Sequence, residues 1–237
     1  MQLPAKHRMY TEVVKHSMMT TGSDGQRRRI HTTYPMLLFL FFFGSIFGFL
    51  IEGVWFFFRH GQLESHSALV WGPFCIVYGF GAIAVYLMAI LLHRKKWPIQ
   101  FVAFTVAGGA VEYFTGLFQE LVFGSTSWDY SRHFLSLGGH VSLKMALLWG
   151  AIGIVFIRLL YPLLCQLQEK LRGKVVRLVC ILVSIFLAAD MIVSAAAVLR
   201  WKNRQNGVPA ANQAEALLDT YYGDEKMEQI YSNLTFK

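Results

Sequence analysis

Charge is scarce in this chain. Only 15% of its 237 residues are charged while 55% are hydrophobic. A soluble domain of that size would have too little polar surface to cover its core, so a water-soluble globular fold is excluded. Cysteine is almost absent: Cys75, Cys165 and Cys180 have no metal-ligand spacing and read as small buried hydrophobes. The catalytic motifs are missing too. There is no Gly-rich phosphate loop of the ATPase type, no Gly-x-Ser-x-Gly elbow, no His-Glu-x-x-His and no Cys-x-x-Cys. Any ATP hydrolysis that serves this protein must therefore come from another chain. No internal repeat is visible, and no small-residue cleavage site separates the polar first 33 residues from the apolar run that follows. A retained signal anchor is expected. The Asn233-Leu234-Thr235 triplet matches a glycosylation acceptor, a pattern common by chance.

What the chain has in quantity is long apolar runs. About five are long enough to cross a hydrocarbon layer of about 30 Å as helix. They cover residues 35–58, 72–92, 98–123, 141–164 and 175–199. Trp55, Trp71, Trp97, Trp128 and Trp201 fall near their ends, where amphipathic indole rings settle at membrane interfaces. The connections are short, the turn His93-Arg94-Lys95-Lys96 being typical. The expected fold is all-α, a polytopic transmembrane helical bundle of about five spanning helices. Residues 1–33 form a basic cytoplasmic tail, 34–200 the membrane domain and 201–237 a polar tail with a short helix over 210–222.

Lysine and arginine set the expected orientation. Arg27, Arg28 and Arg29 precede the first span, Arg94, Lys95 and Lys96 join the second to the third, and Lys170, Arg172 and Lys174 join the fourth to the fifth. The opposite side has Arg59 and Arg132. This bias puts the N-terminus in the cytoplasm and the polar tail outside. Arg200, Lys202 and Arg204, just past the last span, argue against the second half of that statement. The net charge of +8 sits mainly beside spans, which points to anionic lipid headgroups and away from nucleic acid.

A polar site is expected inside the bundle. Glu112 lies fourteen positions into its apolar run, on a stripe with Thr105, Gly108, Gly109, Thr115, Gly116 and Gln119. A carboxylate at that depth belongs on a face turned toward protein. Glu52 follows Gly44 and Gly48 at spacings of four, a groove that lets another helix approach closely. Antiparallel neighbours bring the end of span one, the start of two, the end of three and the start of four to one membrane face. The candidate binding residues there are Glu52, Tyr78, Glu112, Gln119, Glu120, Asp129, Tyr130 and His140. Several have plainer readings. Glu120 and Lys144 could snorkel or pair with each other, Asp129 could close an Asx turn, and Asp190 on its small-residue helix suits a helix contact. Pro73 is expected in the first turn of span two, and Gly79 and Gly81 would permit close approach. Glu112, Glu120, Asp129 and His140 have chemistry suited to a divalent ion, but nothing in their spacing is diagnostic. No catalytic residue and no cofactor is assigned.

Taken together, several short motifs resemble the ABC-transporter permease family of type IV, also called CmpB-like, whose members are bacterial integral membrane proteins. They are Glu52, Gly72-Pro73-Phe74-Cys75, Tyr78-Gly79-Phe80-Gly81, Glu112-Tyr113, Glu120 with Phe123-Gly124, Trp128-Asp129-Tyr130-Ser131, and Gly139 with Leu148-Trp149-Gly150. The similarity runs over residues 48–162. Departures are Ile76-Val77, Ser127, Ser136 and His140, where the family has Pro-Ile, Trp, Asn and Arg. The resemblance implies a permease component in a bacterial cell membrane, with a separate ATPase subunit and a homo-oligomer or complex as expected partners. A non-transporting assembly or sensory protein, or an intramembrane enzyme using the acids as acid and base, is the alternative.

Overall fold

Apolar runs that cannot satisfy their backbone with lipid must satisfy it internally, so they coil into helix. The computed structural model describes residues 32–62 and 64–237. Lys6, Arg8, Lys15 and Arg27 to Arg29 therefore lie outside the described residues. Four helices are long and apolar enough to cross a membrane: α1 (Tyr34–His60), α3 (Trp97–Phe123), α4 (Leu143–Lys170) and α5 (Lys174–Gln205). A shorter apolar helix, α2 (Ile76–Leu92), completes an all-α bundle. Pro35 and Pro98 open α1 and α3 in the first turn, where no intrahelical N–H partner is lost. Gly61 and Gly124 close the same two helices at φ 71° and 62°, a left-handed conformation that favours glycine.

The second span differs from expectation at its start. Residues 72–75 form a turn and the helix begins at Ile76, so Pro73 lies before the helix and not in its first turn. The 17 residues of α2 rise roughly 25 Å, near the lower limit for a crossing. In α4 the residues Phe156–Leu160 form one π turn, ending where Tyr161 N–H donates to Phe156 O. Pro162 follows at once. Its ring would meet the carbonyl four residues back in a regular helix, and a widened turn relieves that contact.

α1 packs on α2, α2 on α3 and α3 on α4, with α5 lying against α1 and α3. Their shared core holds Met36, Leu40, Val85, Tyr86, Phe104, Trp149 and Phe156. Phe47, Val106, Phe114, Leu121, Ile185 and Ile192 point outward and are exposed. Such an apolar exterior is stable against acyl chains and not against water.

Residues 206–237 hold more than the short helix expected over 210–222. They form α6 (Gln213–Tyr221), α7 (Asp224–Ile230) and the short strand β4 (Thr235–Phe236). β4 pairs antiparallel with β1 (Ser125–Thr126), just past α3. A second two-residue pair, β2 (Ser136–Leu137) with β3 (Val141–Ser142), leads into α4. Trp201 is buried under this cap, its ring edge-on to Phe236 at 5.1 Å, so that protein covers it.

Candidate functional site

Glycines decide which side chains meet. A Cβ on Gly44 would come within 2.8 Å of Ala82 Cβ, and one on Gly48 would collide with the Tyr78 ring. The expected groove on α1 therefore receives α2, and the Tyr78 ring packed on Gly48 brings that side chain near Glu52 one turn along. Across the bundle, Trp149 of α4 is wedged against Gly81 and Gly108. Its indole N–H approaches Glu112 without completing a hydrogen bond of good geometry. Glu112 is only 7% exposed, on the stripe expected for α3. Its Oε1 accepts from the Tyr130 hydroxyl at 3.1 Å, while Oε2 has no hydrogen-bond partner.

Four candidates thus converge: Glu52, Tyr78, Glu112 and Tyr130. Tyr130 bonds to Glu112, and Tyr78, on the Glu52 side, has its ring 5.8 Å from that of Trp149, which lies by Glu112. Tyr130 sits in the loop outside the spans, where burial pushes its hydroxyl above the ordinary value and the Glu112 charge adds to the shift. It stays a proton donor. A residue not singled out from the sequence joins them. His66, in the α1–α2 loop, puts Nδ1 3.3 Å from Glu52 Oε2.

The remaining candidates form a second group closer to the cap. His140 is buried and its Nε2 lies 3.3 Å from Glu120 Oε2. Trp128 Nε1–H donates to His140 O at 2.8 Å, and the close approach of Gly116 makes room for the imidazole. Glu120 pairs with Lys237 Nζ at 2.7 Å and not with Lys144, which is exposed. Gln119 donates from Nε2 to Ser127 Oγ at 2.8 Å. Asp129 accepts from Ser131 N–H at 2.8 Å and Ser131 Oγ at 3.0 Å, and these bonds hold its carboxyl below the usual aspartate range. This is the Asx turn expected of it. Among the described residues no three His, Cys, Asp or Glu side chains are grouped to hold a metal ion. Glu112, Glu120, Asp129 and His140 therefore do not meet at one point.

Asp190 contacts a loop, not a helix. It is fully buried, and its Oδ1 accepts from Trp71 N–H and from Ser194 Oγ, both at 3.1 Å. Ser194 Oγ in turn accepts from Val70 N–H at 2.9 Å. The last span thus holds the turn that leads into α2. Lys237 and His66 carried no spacing signal, whereas Ser194 lies one turn from Asp190 on its small-residue helix and Trp149 stood within a motif already noted.

The profile of one known family, described as "Putative ABC-transporter type IV", matches residues 39–195. The chain belongs to that family. All eight candidate residues of this type IV ABC-transporter protein lie inside the match, as do α2, α3, α4 and most of α1 and α5. Neither among curated proteins nor among solved structures does the chain have a match. Its several apolar spans make it a multi-pass membrane protein and, with the family, a component of a transporter.

Proposed function

We propose that this protein is the permease component of a bacterial transporter and that Glu52 and Glu112 form its cation-binding pair. The observation that carries this reading is Glu112, buried with one carboxyl oxygen bonded to Tyr130 and the other without a partner. A carboxylate inside a membrane span costs about 2.5 to 3.5 kcal/mol on insertion scales unless it is paired, hydrated or protonated. A second acid nearby raises that cost, and a bound cation or proton offsets it for both. Tyr130 orients Glu112 by donating to it, and Tyr78 flanks Glu52. Energy comes from a gradient or from an ATPase on another chain, since this one has no nucleotide motif.

The same reading puts the N-terminus in the cytoplasm and the acid pair in the outer half of the bundle. Arg200, Lys202 and Arg204 beside the last span count against that orientation, and Arg200 and Arg204 are engaged in ion pairs with Asp219 and Asp224. The protein reconstituted in nanodiscs tests the proposal through its thermal unfolding with protons, Na⁺, K⁺, Mg²⁺ and an alkylammonium ion. At least one cation should raise the midpoint, and Glu112→Gln should abolish that shift while leaving insertion and the cation-free midpoint nearly intact. No response to any cation, or equal loss of folding in the variant, would sink the reading and favour a structural or assembly role.

A further inference from the structure

Each carboxylate of the acid pair receives a side chain from a different loop. His66 comes to Glu52 from the loop joining α1 to α2, and Tyr130 comes to Glu112 from the loop joining α3 to α4. Segment 223–237 is bonded to both loops. On the first, Tyr231 forms a β-bridge with His66 itself and its hydroxyl donates to Ala68 O at 3.3 Å. Ser65 Oγ donates to Ile230 O at 2.9 Å, and Ser232 Oγ to Ser65 O at 2.5 Å. On the second, β4 pairs with β1, Lys237 N–H donates to Gly124 O at 2.9 Å and Asn233 Nδ2 to Ser127 O at 3.3 Å. Lys237 Nζ also reaches Glu120, which holds His140.

From this double attachment we infer that segment 223–237 is a strap that gates the acid pair. Closed, it holds the two loops together above Glu52 and Glu112; released from either, it lets them part and admits solute. The inference rests on the cation-site reading and adds its regulation.

Its attachment has an apolar anchor and a weaker rim. Met227 and Tyr231 bury apolar surface in a cluster with Trp201 that Phe236 and Val70 of the first loop pack against, while the remaining contacts to the loops are hydrogen bonds and one ion pair half open to water, Lys237 and Glu120 being 48% and 33% exposed. Exposed ion pairs contribute little and are screened by salt. Opening therefore breaks the weaker contacts at the rim and, where Phe236 leaves, uncovers Trp201, while the core shared by α1 to α4 holds no residue of the strap.

Thr126 and Thr235 face each other across the β1–β4 pair, so the double variant Thr126→Cys with Thr235→Cys can lock the strap by a disulfide. Hydrogen exchange in nanodiscs, read on peptides covering 64–75 and 124–140, compares the oxidised and reduced forms. Locking should slow exchange in both peptides at least tenfold, and it should slow the onset of any cation-induced change in Trp fluorescence by a similar factor. Lys237→Glu, which sets like charges together at Glu120, should speed exchange in both. Equal exchange in the locked and reduced forms, or acceleration confined to 124–140 in Lys237→Glu, would overturn the strap. If the reduced protein responds to no cation, the acid-pair reading fails, while the exchange data still judge the coupling of the two loops.

Discussion

Individual residues here act through the room that glycine leaves them. Gly48 is filled by the Tyr78 ring, whereas a Cβ on Gly53, one turn away on the same helix, would meet nothing within 4 Å. Gly48→Val should therefore lower stability by about 1 to 3 kcal/mol through overpacking and displace the Tyr78 ring. Gly53→Ala should be neutral or stabilising by about 0.5 to 1 kcal/mol, the ordinary gain in helix propensity. Thermal unfolding in detergent separates the two. Tyr130→Phe keeps the ring and removes only the donor to Glu112. The buried carboxyl group then loses its partner, a destabilisation of about 1 to 3 kcal/mol. A Tyr130→Phe protein as stable as the parent would mean that water replaces the hydroxyl.

Elements are held in register by polar groups that their apolar patterns do not announce. The turn before α2 has two backbone N–H groups, of Val70 and Trp71, satisfied by Ser194 and Asp190 of α5. Asp190→Leu removes the acceptor of the part-buried Trp71 N–H and of the buried Ser194 hydroxyl, at about 1 to 3 kcal/mol. Asp190→Asn retains a carbonyl oxygen and should be milder. Hydrogen exchange over residues 67–74 should rise sharply in the first and little in the second. Equal protection in both would mean that α5 does not hold this turn.

For the whole molecule, the cap above the bundle depends on ionic contacts at its root. Arg200 forms a two-point contact with Asp219, with Nε to Oδ1 and Nη2 to Oδ2 both at 2.8 Å, and Arg204 Nη1 reaches Asp219 at 2.6 Å. The Arg200 bonds, with those of Arg204 next, hold the Asp219 carboxyl below its ordinary value of 3.8. A group depressed in the folded state stabilises it above the ordinary value, and that stabilisation is lost as pH falls through the folded one. Acidification from neutral to below 3.8 should therefore loosen α6 and α7 from α5, read as a change in the fluorescence of buried Trp201. In Asp219→Asn that acid-dependent change should disappear. If it persists, another group drives it.

The sequence by itself determined the long apolar helices, though not all their ends, and the buried stripe on α3 that carries Glu112, because each follows from local period and from the cost of polar groups in lipid. Even the groove of Gly44 and Gly48 was readable, since spacing alone puts both on one face. Only the tertiary structure decided which partner each polar group takes. Gly81 and Gly108 place Trp149 beside Glu112, and Glu120 takes Lys237 across 117 positions of chain. His66 finds Glu52 from a loop with no periodicity at all. Such pairings have no sequence period, because they are selected by the whole packing of the bundle and not by the geometry of any one helix.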